Sequence, residues 1–288
     1  MKILVTGADG FTGKHFAEEA KSRAHEVIAL KANLNNLASL KQEISSIKPD
    51  AVVHLAAISF VVHGNADEIY QTNIVGTRNL LEALANSTCI PHCILLASSA
   101  NIYGNTLVSP INELVLPMPA NDYAVSKLAM EHMAQLWADQ LPITIVRPFN
   151  YTGVGQSINF IIPKIVNHYQ HGAGVIELGN LDVARDFSDV RMVVKAYCQL
   201  IESNLAGEIF NVCSGKPYTL TEILAMVAKI CGYEINVHIN PAFVRNNEVK
   251  TLCGSNKKLI KAVGSLDMIP LEHTLQWMFE NGKKIKFY

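Results

Sequence analysis

The stretch from Lys2 to Gly13 constrains this chain more than any other. Ile3-Leu4-Val5 is a short apolar run suited to a buried strand, and Thr6-Gly7-Ala8-Asp9-Gly10-Phe11-Thr12-Gly13 follows it directly. Glycines at 7, 10 and 13 allow a sharp turn, a close backbone approach to an anion, and a helix whose first amides face that anion. The spacing departs from Gly-x-Gly-x-x-Gly, and glycines in a turn are often only a turn. Their place between a first strand and a first helix points to the pyrophosphate of a dinucleotide.

The rest of the first half repeats the strand–helix alternation. Strands are predicted at Val27–Leu30, Ala51–Leu55, Cys93–Ala97 and Ile143–Val146. Helices are predicted near 13–23, 37–47 and 68–85, with a long one over 123–141. Continuous apolar strands separated by helices indicate a parallel sheet covered on both faces, an α/β doubly wound fold of the Rossmann type. After about residue 150 the alternation becomes irregular, with turns at Gly172-Ala173-Gly174 and Ser214-Gly215-Lys216-Pro217. The expected organisation is a dinucleotide domain over 1–150, to which a segment of about 186–212 returns, and a smaller C-terminal substrate lobe over 151–288. The cleft should lie at the carboxyl ends of the strands.

Composition removes several function classes. With a net charge of −1 over 288 residues there is no basic field for nucleic acid or anionic lipid, so anions must be bound in a local pocket. No apolar run approaches the roughly 18 residues of a membrane span. Met1-Lys2-Ile3-Leu4-Val5 lacks a signal-peptide pattern, so the expectation is a soluble, cytoplasmic protein without a membrane partner. The six cysteines contain no Cys-x-x-Cys. Cys89, His92 and Cys93 stand too close together for the spaced ligand pairs of a structural zinc site, and no metal is expected.

Two further motifs bear chemistry. In Tyr123-Ala124-Val125-Ser126-Lys127 the phenol and the ammonium share one helix face, and a nearby cation would lower the tyrosine pKa toward acid/base use. A surface helix carrying an incidental Tyr and Lys is the competing reading. Ala97-Ser98-Ser99-Ala100-Asn101-Ile102-Tyr103-Gly104 leaves a strand end, where a serine can bind a substrate carbonyl or merely cap a loop.

Taken in order, the glycine turn, His54-Leu55-Ala56-Ala57, Asn73-Ile74-Val75-Gly76-Thr77, Ser-Ser-Ala-x-x-Tyr-Gly and Tyr-x-x-x-Lys resemble the extended short-chain dehydrogenase/reductases over essentially the whole chain. Arg147-Pro148-Phe149-Asn150-Tyr151-Thr152-Gly153, Arg185-Asp186-Phe187-Ser188-Asp189-Val190 and Phe210-Asn211-Val212-Cys213-Ser214-Gly215 resemble the branch that modifies nucleotide sugars, with the GDP-4-keto-6-deoxymannose reductases most similar. The resemblance implies Tyr123 as acid/base, Lys127 as its partner and ribose ligand, and Ser99 as the carbonyl orienter. Ser99 rather than Ser98 is chosen because the family's hydroxyl lies four residues before the tyrosine of the Tyr-Gly pair. For the cofactor it implies Gly7, Gly10, Phe11, Thr12, Gly13, Leu55, Ala56, Ala57 and Pro148 beside Tyr123 and Lys127. For the sugar nucleotide it implies Asn150, with Arg185, Arg245 and Lys164 for the diphosphate, a geometry that suits guanidinium groups.

Departures from the family narrow the reaction. Dehydratases of this type carry acidic residues just after the catalytic hydroxyl, where this chain has Ala100 and Asn101, and the cysteine acid of the 3,5-epimerase/reductases is missing. A 4-ketoreductase and a 4-epimerase remain, with the reductase preferred. A non-catalytic dinucleotide sensor is the third reading, opposed by the presence of Ser99, Tyr123 and Lys127. No acid follows the second strand in Val27–Asn33, and Lys31 stands there instead, so NADP is favoured over NAD. The resemblance also implies a homodimer formed by the helix near 68–85 and the one beginning at Tyr123.

Overall fold

The computed structural model describes residues 1–59, 66–203, 205–243 and 250–282. β1 (Lys2–Thr6) leads through the glycine turn to α1 (Phe11–Ser22), β2 (Glu26–Ala29), α2 (Leu37–Ile47) and β3 (Ala51–His54). α3 (Ala66–Tyr70), a π-helical turn (Gln71–Gly76) and α4 (Thr77–Ala85) follow, then β4 (Cys93–Ala97), a 3-10 turn (Ala100–Tyr103), α5 (Asp122–Gln135) and β5 (Ile143–Pro148). β6 (Asn150–Thr152), α6 (Ile161–Gln170), β7 (Val175–Leu178), β8 (Ala184–Asp189), α7 (Val190–Glu202) and β9 (Ile209–Val212) come next. The remaining elements are β10 (Pro217–Thr219), α8 (Leu220–Cys231), β11 (Asn236–Ile239), β12 (Thr251–Leu252), α9 (Lys257–Val263) and α10 (Leu271–Asn281).

The main sheet runs β2–β1–β3–β4–β5–β9, with every neighbouring pair parallel. Its strands read as unbroken apolar runs because both faces are covered, and successive side chains supply opposite cores. Cys93 and Leu95 of β4 join the core under α1 and α7, while Ile94 and Leu96 join the core under α2, α4 and α5. Ile3 and Val5 against Leu4, and Ala51 and Val53 against Val52, divide the same way. Each buried Leu or Ile contributes about 1.5–3 kcal/mol, which makes slippage of any strand by one residue expensive.

β9 and α7 pack with this sheet, whereas β8 belongs to a second, smaller one, ordered β10–β8–β12 with β6 paired to β8. β7 and β11 pair with each other. A separate apolar core beneath α6, α8 and α10 holds this smaller lobe together. Asp186 of β8 is fully buried and accepts hydrogen bonds from the amides of Ser214, Gly215 and Gly254, pinning the Ser214 turn and the chain after β12 to β8. Among the described residues no helix is long and apolar enough to cross a membrane.

Two helices differ from the sequence expectation. The long one ends at Gln135, and residues 136–140 form turns with Leu136 exposed, because the apolar periodicity continues past the point where packing supports a helix. The one over 68–85 contains the π turn, which rotates Asn73 inward, leaving it 1% exposed. Such turns occur often at functional sites.

Candidate active site

Because the main strands are parallel, the glycine turn after β1, Leu55–Ile58 after β3, Ser98 and Ser99 after β4, and Phe149–Tyr151 after β5 all emerge at one edge. Gly7 has φ +69°, and a Cβ there would sit 2.8 Å from the Ala56 amide nitrogen. A Cβ on Gly13 would meet the Gly7 carbonyl oxygen at 2.3 Å. The glycines are thus required sterically, and they leave the Gly10 end of α1 open for a phosphate, so this cradle fits a dinucleotide. Gly10, Phe11 and Thr12 stand at the helix start, and Ala57 follows the Ala56 that closes the turn. Pro148, buried, ends β5.

The Tyr123 and Lys127 side chains enter this edge from the first two turns of α5, whose N-terminus is capped by Asn121 Oδ1 accepting from the Ala124 amide. Lys127 is 3% exposed and donates to the Ala97 carbonyl at 2.7 Å. Burial pulls its pKa down to about 8, with Glu131 acting in the opposite sense. Arg147 clamps Glu131 through both carboxylate oxygens at 3.0 and 2.7 Å. Tyr123 stands close enough to Ser99 for that hydroxyl to favour its phenolate, and Ser99 Oγ accepts from the Asn101 amide at 3.1 Å.

The tyrosine pKa departs from the sequence expectation. It lies well above the usual phenol value, because burial outweighs everything else, Tyr151 adds to the shift, and only the Ser99 hydroxyl opposes it. The lysine does not lower it: its ammonium is turned onto the Ala97 carbonyl. Tyr123 is therefore a protonated phenol at neutral pH.

A buried polar network that the sequence reading left unassigned ties these parts together. Thr77 Oγ1 donates to the Asn73 carbonyl at 2.8 Å, so its other contact, 2.8 Å to His54 Nε2, is accepted from a ring N–H. His54 Nδ1 must then accept from Thr6 Oγ1 at 2.7 Å, and Thr6 Oγ1 accepts from the Ala56 amide at 3.1 Å. His54 is neutral throughout the physiological range, its pKa pulled down to about 3 by burial and then by Lys127. Asn73 continues the path: Oδ1 accepts from the Ile58 amide, and Nδ2 donates to the Ile58 carbonyl and to Ser126 Oγ. Ser126 Oγ in turn donates to the Tyr123 carbonyl at 2.8 Å. The available signal was the polar residues of the His54-Leu55-Ala56-Ala57 and Asn73–Thr77 motifs at buried positions.

The sugar side is less complete. Asn150 Nδ2, Ser98 Oγ and Ser188 Oγ are buried without hydrogen-bond partners. Arg185 lies on β8 in line with Tyr218, and its Nη1 donates to the Ala184 carbonyl. Lys164 on α6 donates to the Glu177 carbonyl at 2.8 Å and stands 4.7 Å over the Phe243 ring, so its charge is engaged within the lobe. Arg245 lies outside the described residues. Lys31 is exposed, and the reading that no carboxylate stands there needs correction: Glu43 reaches across from α2 and accepts from the Lys31 and Ala32 amides at 2.9 and 2.6 Å. A separation of twelve positions along the chain hides that contact from a local reading.

Comparison with known proteins agrees with this geometry. The model of the NAD dependent epimerase/dehydratase family matches residues 3–213. A GDP-6-deoxy-D-talose 4-dehydrogenase from Aggregatibacter actinomycetemcomitans is 35% identical over 92% of this chain and 92% of its own. A GDP-6-deoxy-D-mannose reductase from Pseudomonas aeruginosa is 34% identical over 96% of this chain and 95% of its own. The crystal structure of RMD from Pseudomonas aeruginosa complexed with NADPH superposes with a TM-score of 0.88 at 31% identity, covering 97% of this chain and 98% of that one. A Burkholderia cenocepacia crystal structure gives a TM-score of 0.93 at 50% identity, with 97% of each chain covered. The chain belongs to the NAD-dependent epimerase/dehydratase family, the extended short-chain dehydrogenase/reductases, which are NAD(P)-dependent enzymes.

Proposed function

We propose that this enzyme is an NAD(P)H-dependent 4-reductase of a nucleotide-activated 4-keto-6-deoxyhexose, with GDP favoured as the nucleotide by the two relatives that act on GDP-sugars. The observation that carries the reading is the meeting of Tyr123 and Lys127 on α5 with Ser99 after β4, at the strand edge that holds the glycine cradle. A protonated phenol so placed serves as the proton donor of a ketone reduction.

Under this reading, Gly7, Gly10, Phe11, Thr12, Gly13, Leu55, Ala56, Ala57 and Pro148 hold the dinucleotide, which supplies the hydride when bound. Ser99 orients the C4 carbonyl by a hydrogen bond. Tyr123 transfers its proton to the oxygen as negative charge develops there. Lys127 binds the ribose hydroxyls and stabilises the phenolate left behind, which is why its charge matters although it points first at Ala97. The unpaired Asn150 amide serves the sugar, and Arg185, Arg245 and Lys164 the diphosphate. The sheet-forming part, 1–150 with about 186–212, acts as the dinucleotide domain and 151–288 mainly as the sugar-nucleotide lobe. The cofactor is NADP or NAD, since Lys31 would attract a 2′-phosphate and Glu43 on the Lys31 and Ala32 amides would repel one, and the partner is a second copy of the chain, meeting it through α4 and α5.

The test is incubation with 4-keto-6-deoxy GDP- and dTDP-sugars and NADPH or NADH. Stoichiometric consumption of reduced dinucleotide, with a reduced sugar as product, is expected. No consumption, alongside interconversion of ordinary sugar nucleotides, would overturn the reductase in favour of a 4-epimerase.

A further inference from the structure

β6 is three residues long and faces two ways. Asn150 pairs in register with Phe187, which belongs to the core of the smaller lobe, and Tyr151 pairs with Ser188. Alternation along a strand sends the two side chains to opposite faces. Tyr151 accordingly packs against the core under α1 and α7, on the main-sheet side. Its ring stacks on Phe11, with centroids 6.1 Å apart and planes 12° from parallel. Its hydroxyl lies 2.8 Å from Thr12 Oγ1, a contact across 139 residues of chain.

Phe11 and Thr12 are the first two residues of α1, directly after the glycine cradle. One residue before Tyr151, Asn150 holds a buried Nδ2 with no partner. A single dipeptide therefore grips the dinucleotide turn with one side chain and offers an unpaired donor to the lobe with the other.

We propose that Tyr151 is a positioning residue that couples the dinucleotide and sugar-nucleotide subsites: its bond to Thr12 ties the glycine turn to β6, so that filling either subsite fixes the strand serving the other. The inference rests on the assignment of the cleft given above. Coupling of this kind is reciprocal, each ligand tightening the other by the same factor. A strand that only filled space would leave the two ligands independent.

Tyr151→Phe keeps the ring and its stack and removes only the hydroxyl. Thr12→Val removes the other half of the bond, and Thr12→Ser retains it. Binding of NADPH is titrated by its fluorescence with and without saturating GDP-mannose, a GDP-hexose with no keto group to reduce, in the intact chain. In the unsubstituted enzyme GDP-mannose tightens NADPH by about three- to ten-fold, the worth of one hydrogen bond. In Tyr151→Phe and Thr12→Val that factor falls to near one, the double variant falls no further, and Thr12→Ser keeps it. Coupling retained in Tyr151→Phe, or absent from the unsubstituted enzyme, overturns the proposal. Should Tyr151→Phe fail to fold, the contrast between Thr12→Val and Thr12→Ser decides. Coupling without turnover of any keto sugar would instead sink the reductase reading and leave this one standing.

Discussion

Asn73 and Asn150 are the same residue used in opposite ways on the two sides of one cleft. Asn73, on the dinucleotide side, spends its amide fully: one bond accepted and two donated. Asn150, facing the smaller lobe, keeps a buried Nδ2 with no partner. A buried amide donor left unbonded costs about 1–3 kcal/mol. Asn73 is therefore satisfied as the chain folds, whereas Asn150 holds stability in reserve for a partner to recover. The difference teaches that the same side chain can serve as scaffold when every neighbour is supplied by the fold, and as an open donor when one is not.

The comparison is strained hardest at Tyr123, whose backbone belongs to the dinucleotide side and whose hydroxyl serves both. Tyr123→Phe should lower kcat by about 10²- to 10⁴-fold, with NADPH affinity nearly unchanged. Near-normal turnover would remove it as the proton donor. The two asparagines test the contrast directly. Asn73→Ala should cost about 2–4 kcal/mol by denaturant titration, because it orphans the Ile58 amide and carbonyl. Asn150→Ala should leave stability within about 0.5 kcal/mol or raise it, while the KM for the sugar nucleotide rises. Equal stability losses would erase the distinction between the two asparagines.

A last test concerns pH. Lys127 has a folded pKa near 8, below the unfolded value of about 10.4. Between those two values the unfolded chain binds more protons, so this residue's contribution to stability rises with pH across that window. Wild type should accordingly gain stability relative to Lys127→Met from about pH 8 to 10, while its reductive kcat falls as the ammonium is lost. A stability difference that stays flat over that range would show that the lysine is not held in a depressed state.

Much of this was legible in the residues. The glycine turn, the apolar strands and the Tyr-x-x-x-Lys pair are local patterns, and the structure puts Ser99, Tyr123 and Lys127 at one strand edge. What escaped was set by tertiary contact. The π turn at Gln71–Gly76 keeps helical apolar spacing, so periodicity reads it as ordinary helix. The Tyr123 pKa depends on how deeply the hydroxyl is enclosed and where the lysine points, neither of which a four-residue spacing reports. Tyr151 lay in a motif already noted, but its turn toward Thr12 follows from the pairing of β6 with β8.

The Glu43 carboxylate has a use beyond the loop it holds. β2 is the outermost strand, and Leu30 directs its amide inward to the Val5 carbonyl, so the Lys31 amide points away from the sheet. An outward row of amides is a template on which a foreign strand can add and from which aggregates grow. By accepting from Lys31 and Ala32, Glu43 caps the carboxyl-terminal end of that row with a negative charge. A strand adding at that end of the edge would first have to displace the Glu43 carboxylate.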